Sequence, residues 1–323
     1  MTPYDALLVV SFGGPEKSAE VMPFLENVLR GRNVPRERLE VVAEHYYHFG
    51  GRSPINDQNK ALIAALKAEG LSLPIYWGNR NWHPFLEDTV RQMAADGVRR
   101  ALALATSAFG CYSGCRQYLE DIDRAVNAVG ERAPQIDKLR PFWRRPGFIA
   151  AQQVRLREAQ EQLPNATIFF TAHSIPQVVS EVAPYAADLT AACRLVAPGV
   201  AFQYQLVYQS RSGPPSQPWL GPDILEALRQ FHASGGREAI IQPIGFLSDH
   251  MEVLFDLDVE ARALCDKLGL KMVRALTVGT HPLFVAEILK LSEETPTRCA
   301  DTCCVIARSG SARTTRPSGD AGP

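Results

Sequence analysis

The sequence predicts an α/β protein made of two doubly wound, Rossmann-like parallel-sheet domains. Three observations lead there. Short apolar runs of strand length recur along the chain, helix-period stretches separate them, and 323 residues is enough chain for two such units. The number of runs suits two doubly wound halves better than a closed eight-fold barrel.

Taken in order, Ala6-Leu7-Leu8-Val9-Val10-Ser11-Phe12 reads as a buried parallel strand. Gly13-Gly14-Pro15 breaks it, and Ser18 is placed to cap the helix that follows. Further strands are expected over residues 73–77, 101–106, 166–171, 202–208, 239–246 and 272–276. Helical periodicity fills residues 59–69, 84–95, 150–162 and 222–233. The Pro- and Arg-bearing stretch 134–146 divides the chain. An N-terminal domain is expected over residues 1–140 and a C-terminal one over 141–307, with a cysteine-bearing extension. Residues 308–323 change to Thr, Arg, Ser, Gly and Pro and are expected to form a disordered tail.

Composition narrows the function classes. A net charge of −1 gives no reason to expect a nucleic-acid partner or an anionic membrane surface. No apolar run reaches transmembrane length, and the N-terminus lacks a secretory pattern, so a cytoplasmic protein is expected. Seven cysteines, an odd number in a chain this long, do not read as a disulfide framework. Cys193 and Cys265 fall on helix-like runs as core residues.

The chemistry-bearing stretch is Ser248-Asp249-His250-Met251-Glu252-Val253-Leu254-Phe255-Asp256-Leu257-Asp258-Val259-Glu260. On an α-helix, Glu252, Asp256 and Glu260 at i, i+4 and i+8 form one winding row. Leu254, Leu257, Ala261, Leu264 and Leu268 form the expected core stripe of the same helix. Carboxylates beside a buried seam need protons, cations or a metal, so the row is a candidate proton or metal path. A solvated charged face is the plainer reading of the same spacing.

In doubly wound sheets, ligands bind beyond the carboxyl ends of the strands. Thr167-Ile168-Phe169-Phe170-Thr171 delivers His173 there, where a neutral imidazole can take a proton or bind a divalent metal. Glu252 occupies a comparable position, and the two make a base–carboxylate pair. Neither belongs to an H-E-x-x-H motif, so a transient metal or proton site is expected rather than a resident zinc. There is no G-x-G-x-x-G and no P-loop, so nucleotide binding has no support. In the first half, His45-Tyr46-Tyr47-His48-Phe49-Gly50-Gly51-Arg52-Ser53-Pro54, with Arg30 upstream, gathers rings and donors suited to a flat ligand bearing carboxylates. A helix end packed on the core with solvated arginines is the structural alternative.

These segments together resemble ferrochelatase, from the first strand to a helix ending near Leu291. The resemblance is carried by Ser11-Phe12-Gly13-Gly14-Pro15-Glu16, Pro23-Phe24-Leu25-Glu26-Asn27-Val28, the His45 to Pro54 run and Gly78-Asn79-Arg80-Asn81-Trp82. It continues through Tyr112-Ser113-Gly114-Cys115-Arg116-Gln117-Tyr118, Ala172-His173-Ser174 and Asp249-His250-Met251-Glu252. It implies insertion of Fe²⁺ into a porphyrin held in a cleft between two Rossmann-like halves. His173 and Glu252 match the family's histidine and the glutamate across the cleft. Asp256 and Glu260 match the acidic row leading away.

Tyr46, Ser53 and Tyr112 match porphyrin contacts, with His45 and Arg30 as weaker candidates for the propionates. Phe12 stands where some relatives carry a tyrosine or methionine. It cannot ligate iron, so its expected role is packing on the macrocycle. The wording is similar to the soluble actinobacterial type, which implies coproporphyrin III as substrate and coprohaem as product, with protoporphyrin IX as runner-up. A cobalt or nickel chelatase and a non-catalytic haem or porphyrin carrier are the other readings. The acidic row speaks against a carrier. A monomer is expected.

The resemblance also implies a 2Fe–2S cluster, with Cys115 as the internal ligand and Cys299, Cys303 and Cys304 as the other three. Cys111 could substitute for Cys115, and free thiols on a frayed tail are the alternative.

Overall fold

The structure is a computed structural model describing residues 3–31, 34–198, 204–213, 216–297, 299–300 and 303–304. Its first half contains β1 (Ala6–Ser11), α1 (Val21–Val28), α2 (Arg36–His48), α3 (Ile55–Ala68), β2 (Ile75–Asn79), α4 (Leu86–Ala95), β3 (Arg100–Ala105), α5 (Gln117–Val129) and β4 (Gln135–Lys138). The second half follows with α6 (Pro146–Gln160), β5 (Thr167–His173), α7 (Gln177–Ser180), α8 (Tyr185–Val196), β6 (Tyr204–Gln209), α9 (Ile224–Ala233) and β7 (Glu238–Gln242). It ends with α10 (Met251–Val253), a π-helical segment Leu254–Ala261, α11 (Arg262–Leu268), β8 (Lys271–Arg274) and α12 (Pro282–Ser292).

The strands form two four-stranded sheets, ordered β2-β1-β3-β4 and β6-β5-β7-β8, and every pairing is parallel. The two orders are the same path traced twice. In each sheet the order reverses beside the first strand, which creates a crevice at the carboxyl ends of β1 and β3, and of β5 and β7.

Both sheets are covered on both faces, and strand alternation shows how. Leu7 and Val9 of β1 join the large core that also holds Ile168, Phe170 and Ala172 of β5. Ala6, Leu8 and Val10 point the other way, onto α4 and α5, and Phe169 points onto α9 and the helix after β7. One apolar core therefore runs between the sheets. Phe148 of α6, fully buried, sits within it among Phe109, Phe142 and Phe284, with ring centroids 6.3, 6.1 and 5.9 Å away. A contact network of this kind couples the halves mechanically.

The strand expectations are met with shifted ends. The run at 239–246 stops at Gln242, because Pro243 has no N–H for the ladder. The expected strand at 202–208 is observed from Tyr204, its first two residues lying outside the described ones. The stretch 134–146, read as a divider, contains the edge strand β4. Its Gln135-Ile136-Asp137-Lys138 is short and polar because only one side of it pairs, with β3. Ser18 does not cap a helix. Its hydroxyl donates to the Gly50 carbonyl at 3.0 Å, tying the first loop to the end of α2. That approach is why position 51 is glycine: at φ +74°, a Cβ there would lie 2.3 Å from the Ser18 Cα. Cys193 and Cys265 are core residues, as expected. The expected tail, residues 308–323, lies outside the described residues.

Candidate active site at the strand ends

His173 ends β5, one of the two strands flanking the second crevice. Its carbonyl accepts the Tyr185 hydroxyl at 2.9 Å, and the next residue anchors the turn through Ser174 Oγ to the Leu220 carbonyl at 2.7 Å. The ring Nδ1 lies 2.5 Å from the Ser174 carbonyl oxygen. A carbonyl can only accept, so Nδ1 is the donor here and Nε2 is the nitrogen left to face the cleft. That nitrogen is 3.7 Å from Glu252 Oε2, and the two side chains are 36% and 46% exposed. The gap is long for a hydrogen bond, yet one cation at the ~2.0–2.2 Å usual for imidazole and carboxylate ligands can bridge it.

Glu252 comes from the helix after β7, and this helix departs from the expected one. Residues 254–261 are π-helical, with α-helical turns on either side. The fully buried row is Val253, Leu257, Ala261 and Cys265. The expected α-helical stripe named Leu254 in place of Val253, and Leu254 is only half-buried. Leu264 and Leu268 pack against the core from its edge. The cause is helical pitch. Steps of four overshoot one turn of an α-helix at 3.6 residues and undershoot one turn of a π-helix at about 4.4, so over a mixed segment the drifts cancel. The acids at 252, 256 and 260 consequently run straight beside the buried row, one residue away.

Asp256 is held from two sides. Gln209 Nε2 donates to its Oδ2 at 3.2 Å, and Ser210 Oγ hydrogen-bonds the same oxygen. Ser210 adopts φ +60°, a costly conformation for a non-glycine residue, and its hydroxyl reaches the carboxylate from there. Burial pushes the Asp256 carboxyl up to about 7, with Glu252 and Glu260 adding to the rise and the Ser210 and Gln209 bonds opposing it. Glu260 marks the exposed end of the row.

His250 was not singled out as a site residue, although it stands two positions before Glu252 in a quoted motif. It N-caps α10, packs edge-on to Phe246 at 5.3 Å, and senses both His173 and Glu252 electrostatically. Burial holds it below the usual histidine range, with Glu252 pulling it back up. Gln209 and Ser210 were missed as well; nothing in the sequence marks two polar residues at a strand end as partners of an acid 46 residues later.

The first half supplies the facing surface. Tyr46 is half-buried, and burial together with Glu252 raises its phenol, which places it in the field of that carboxylate. His45 stacks on Phe255 of the π segment, centroids 3.7 Å apart and nearly parallel, and burial pushes it down, leaving the ring neutral. Ser53 is buried at the start of α3, its Oγ accepting from Ile55 N at 3.4 Å. Gly14 must be glycine, because a Cβ there would lie 2.7 Å from that of Ser53. Phe12, at the end of β1, meets Phe24 edge-on at 6.2 Å and the Arg80 guanidinium at 5.9 Å. Tyr112 donates to Glu120 at 3.0 Å, and Arg30 is exposed. Gln58 Nε2 of α3 donates to the Asp249 carbonyl at 2.9 Å, joining the halves beside Glu252.

The cysteines form a second group. Cys115 is buried and accepts from Lys138 Nζ at 3.2 Å, and the Cys303 and Cys304 sulfurs are 3.7 Å apart. Burial pushes Cys304 up to about 12, with Cys303, Cys115 and Cys111 adding to it. Burial also raises Cys299, helped by Cys115 and Cys303. The four thiols thus stand within one another's field. Among the described residues, however, no group of three or more His, Cys, Asp or Glu side chains has the arrangement of a metal site.

Two four-stranded parallel sheets of the same strand order are the fold this chain shares with solved chelatases. SirB from Bacillus subtilis with Fe³⁺ superposes with a TM-score of 0.57 at 14% identity, covering 88% of this chain and 92% of that one. The sirohydrochlorin chelatase SirB from Bacillus subtilis subspecies spizizenii in complex with cobalt gives 0.54 at 13%, with the same coverage. Within that class the chain belongs to the ferrochelatase family, whose model matches residues 4–295. It is 56% identical over 304 residues to the ferrochelatase of Rhodopirellula baltica, covering 91% of this chain and 87% of that protein. It is 49% identical over 308 residues to the coproporphyrin III ferrochelatase of Nocardia farcinica, covering 90% and 88%. The family match ends before Cys299, Cys303 and Cys304.

A raised Asp256 carboxyl has a stability consequence whose sign is fixed. The native state binds this proton more tightly than the unfolded chain, whose aspartate titrates near ~3.9. The contribution is full below that value and is lost as pH rises to about 7. Asp256→Asn is therefore expected to gain stability relative to the parent between about pH 4 and 7, by roughly 1 kcal/mol or more across the window. Urea midpoints measured at each pH would show it; a constant difference would contradict the raised value.

Proposed function

We propose that this ferrochelatase-family enzyme inserts Fe²⁺ into coproporphyrin III to give coprohaem, with His173 and Glu252 as the metal-handling pair. The observation that carries the site assignment is His173 Nε2 facing Glu252 Oε2 across 3.7 Å. The substrate reading rests on the similarity to relatives named coproporphyrin III ferrochelatases, at 46–49% identity.

The chemistry balances simply: Fe²⁺ enters the macrocycle and two pyrrole protons leave. Imidazole and carboxylate suit Fe²⁺ because they hold it without trapping it, as a thiolate cage would. In this reading His173 Nε2 takes a pyrrole proton or the metal, and Glu252 strips and orients the ion. Asp256 is poised near neutrality and can both accept and release a proton, passing it to the exposed Glu260. Phe12, Tyr46, Ser53 and Tyr112 supply the porphyrin's contacts, and Arg30 lies exposed within reach of solvent for its propionates. His45 contributes a neutral ring, not a cation. Remote contacts of this kind can bend the macrocycle and expose its nitrogens.

The cluster belongs to the same proposal. Cys115, Cys299, Cys303 and Cys304 match a 2Fe–2S group in donor type and number, and such a group would tie the chain beyond α12 to the start of α5. It takes no part in the insertion chemistry proposed here. The division into residues 1–140 and 141–307, a monomeric state and a cytoplasmic location complete the reading. Among the described residues, no helix is long and apolar enough to cross a membrane.

Anaerobic Fe²⁺ insertion, with coproporphyrin III and protoporphyrin IX compared side by side, is expected to favour the former. His173→Ala should lower turnover by about 100-fold or more while porphyrin binding, read by fluorescence, is retained. Full activity in that variant would end the assignment. For the cluster, purified protein should keep visible absorption and acid-labile sulfide after desalting; colourless protein free of iron and sulfide would remove it.

A further inference from the structure

Arg274 is the last residue of β8, and its side chain is only 9% exposed. It holds two carboxylates at once. Nη1 lies 2.6 Å from Asp249 Oδ1, and Nε lies 2.6 Å from Asp258 Oδ1. These acids bracket the chemistry, since Asp249 immediately precedes His250 while Asp258 lies six residues past Glu252. The guanidinium therefore spans from the loop before α10 to the middle of the π segment. A planar fork with several donors can do this; a point charge cannot.

Asp249 is tied further. Thr277 Oγ1 donates to its Oδ2 at 3.0 Å, the Thr277 amide reaches Oδ1 at 3.4 Å, and its own carbonyl accepts Gln58 from the first half. All of these bonds fall on the residue that leads into His250 and Glu252. The π segment departs from the α-helical ladder, so its lateral position depends on such outside anchors.

We infer that Arg274 is a positioning residue for metal insertion: by clamping Asp249 and Asp258 together, it sets where His250 and Glu252 stand opposite His173. This rests on the His173–Glu252 reading above. The hydrogen bonds of Arg274 go to Asp249, Asp258 and the Ala275 carbonyl. Its effect falls on the metal side of the cleft, while the porphyrin contacts of the first half remain as they are.

Three variants test this. Arg274→Gln removes both ion pairs and is expected to raise the KM for Fe²⁺ at least about tenfold, with porphyrin affinity within about twofold of the parent, since small misplacements of reacting groups cost that much. Arg274→Lys can satisfy only one carboxylate and should fall between the two. Should Arg274→Gln fail to fold, Asp258→Asn, which removes one half-exposed partner, is expected to raise the iron KM by about threefold. A purely structural role would lower kcat with the active fraction and leave the iron KM alone. An unchanged iron KM in the variants that fold, or iron and porphyrin affinities falling together, overturns the inference. Failure of the underlying reading is distinguishable, because it appears as full activity in His173→Ala whatever Arg274 does.

Discussion

The site depends on a change of helical pitch. The helix after β7 begins as α, widens to π over Leu254–Ala261 and returns to α. This keeps every fourth residue in line for three turns, so that Val253, Leu257, Ala261 and Cys265 seal against the core while Glu252, Asp256 and Glu260 stay in file beside them. In a regular α-helix the same acids would wind about 40° per step away from the crevice. A straight file next to a buried row is what raises Asp256 toward neutrality: burial comes first, and the acids before and after it, Glu252 and Glu260, add to it.

The sheets determine where that file points. Both follow the same strand order, and in each the reversal beside the first strand opens a crevice at the strand ends. The second sheet delivers a base from β5 and an acid from the helix after β7 to opposite sides of one crevice. The first half, through Phe12 after β1 and His45 and Tyr46 of α2, delivers rings. The shared core around Phe148 joins the two, and the contacts of Gln58 with Asp249 and of His45 with Phe255 close the seam beside the acids. The proposed division of labour between the halves, one for a flat apolar ligand and one for ions, rests on which residues each crevice receives.

Much of this was legible in the sequence. Buried parallel strands announce themselves as apolar runs because both faces are covered, and β1, β3 and β5 were readable on that ground. His173 was readable as a polar residue at the end of such a run. What escaped notice did so for physical reasons. β4 pairs on one side only, and its Gln-Ile-Asp-Lys sequence carries no core signal. The π segment leaves no mark in a period of 3.6 residues per turn, which puts Leu254 on the core face, whereas the structure buries Val253. The anchors of the acidic row, Gln209, Ser210 and Arg274, are brought to it by tertiary folding from distant strand ends. Ser18 resembles a cap because it precedes a helix, yet its hydroxyl is engaged by the Gly50 carbonyl at the end of α2.

The most direct test is to locate the metal. Crystals grown anaerobically and soaked with a divalent iron salt should show anomalous scattering at the iron edge between His173 Nε2 and the Glu252 carboxylate, within ordinary ligand distance of both. An iron peak elsewhere on the chain, with the space between those two side chains empty, would contradict the account.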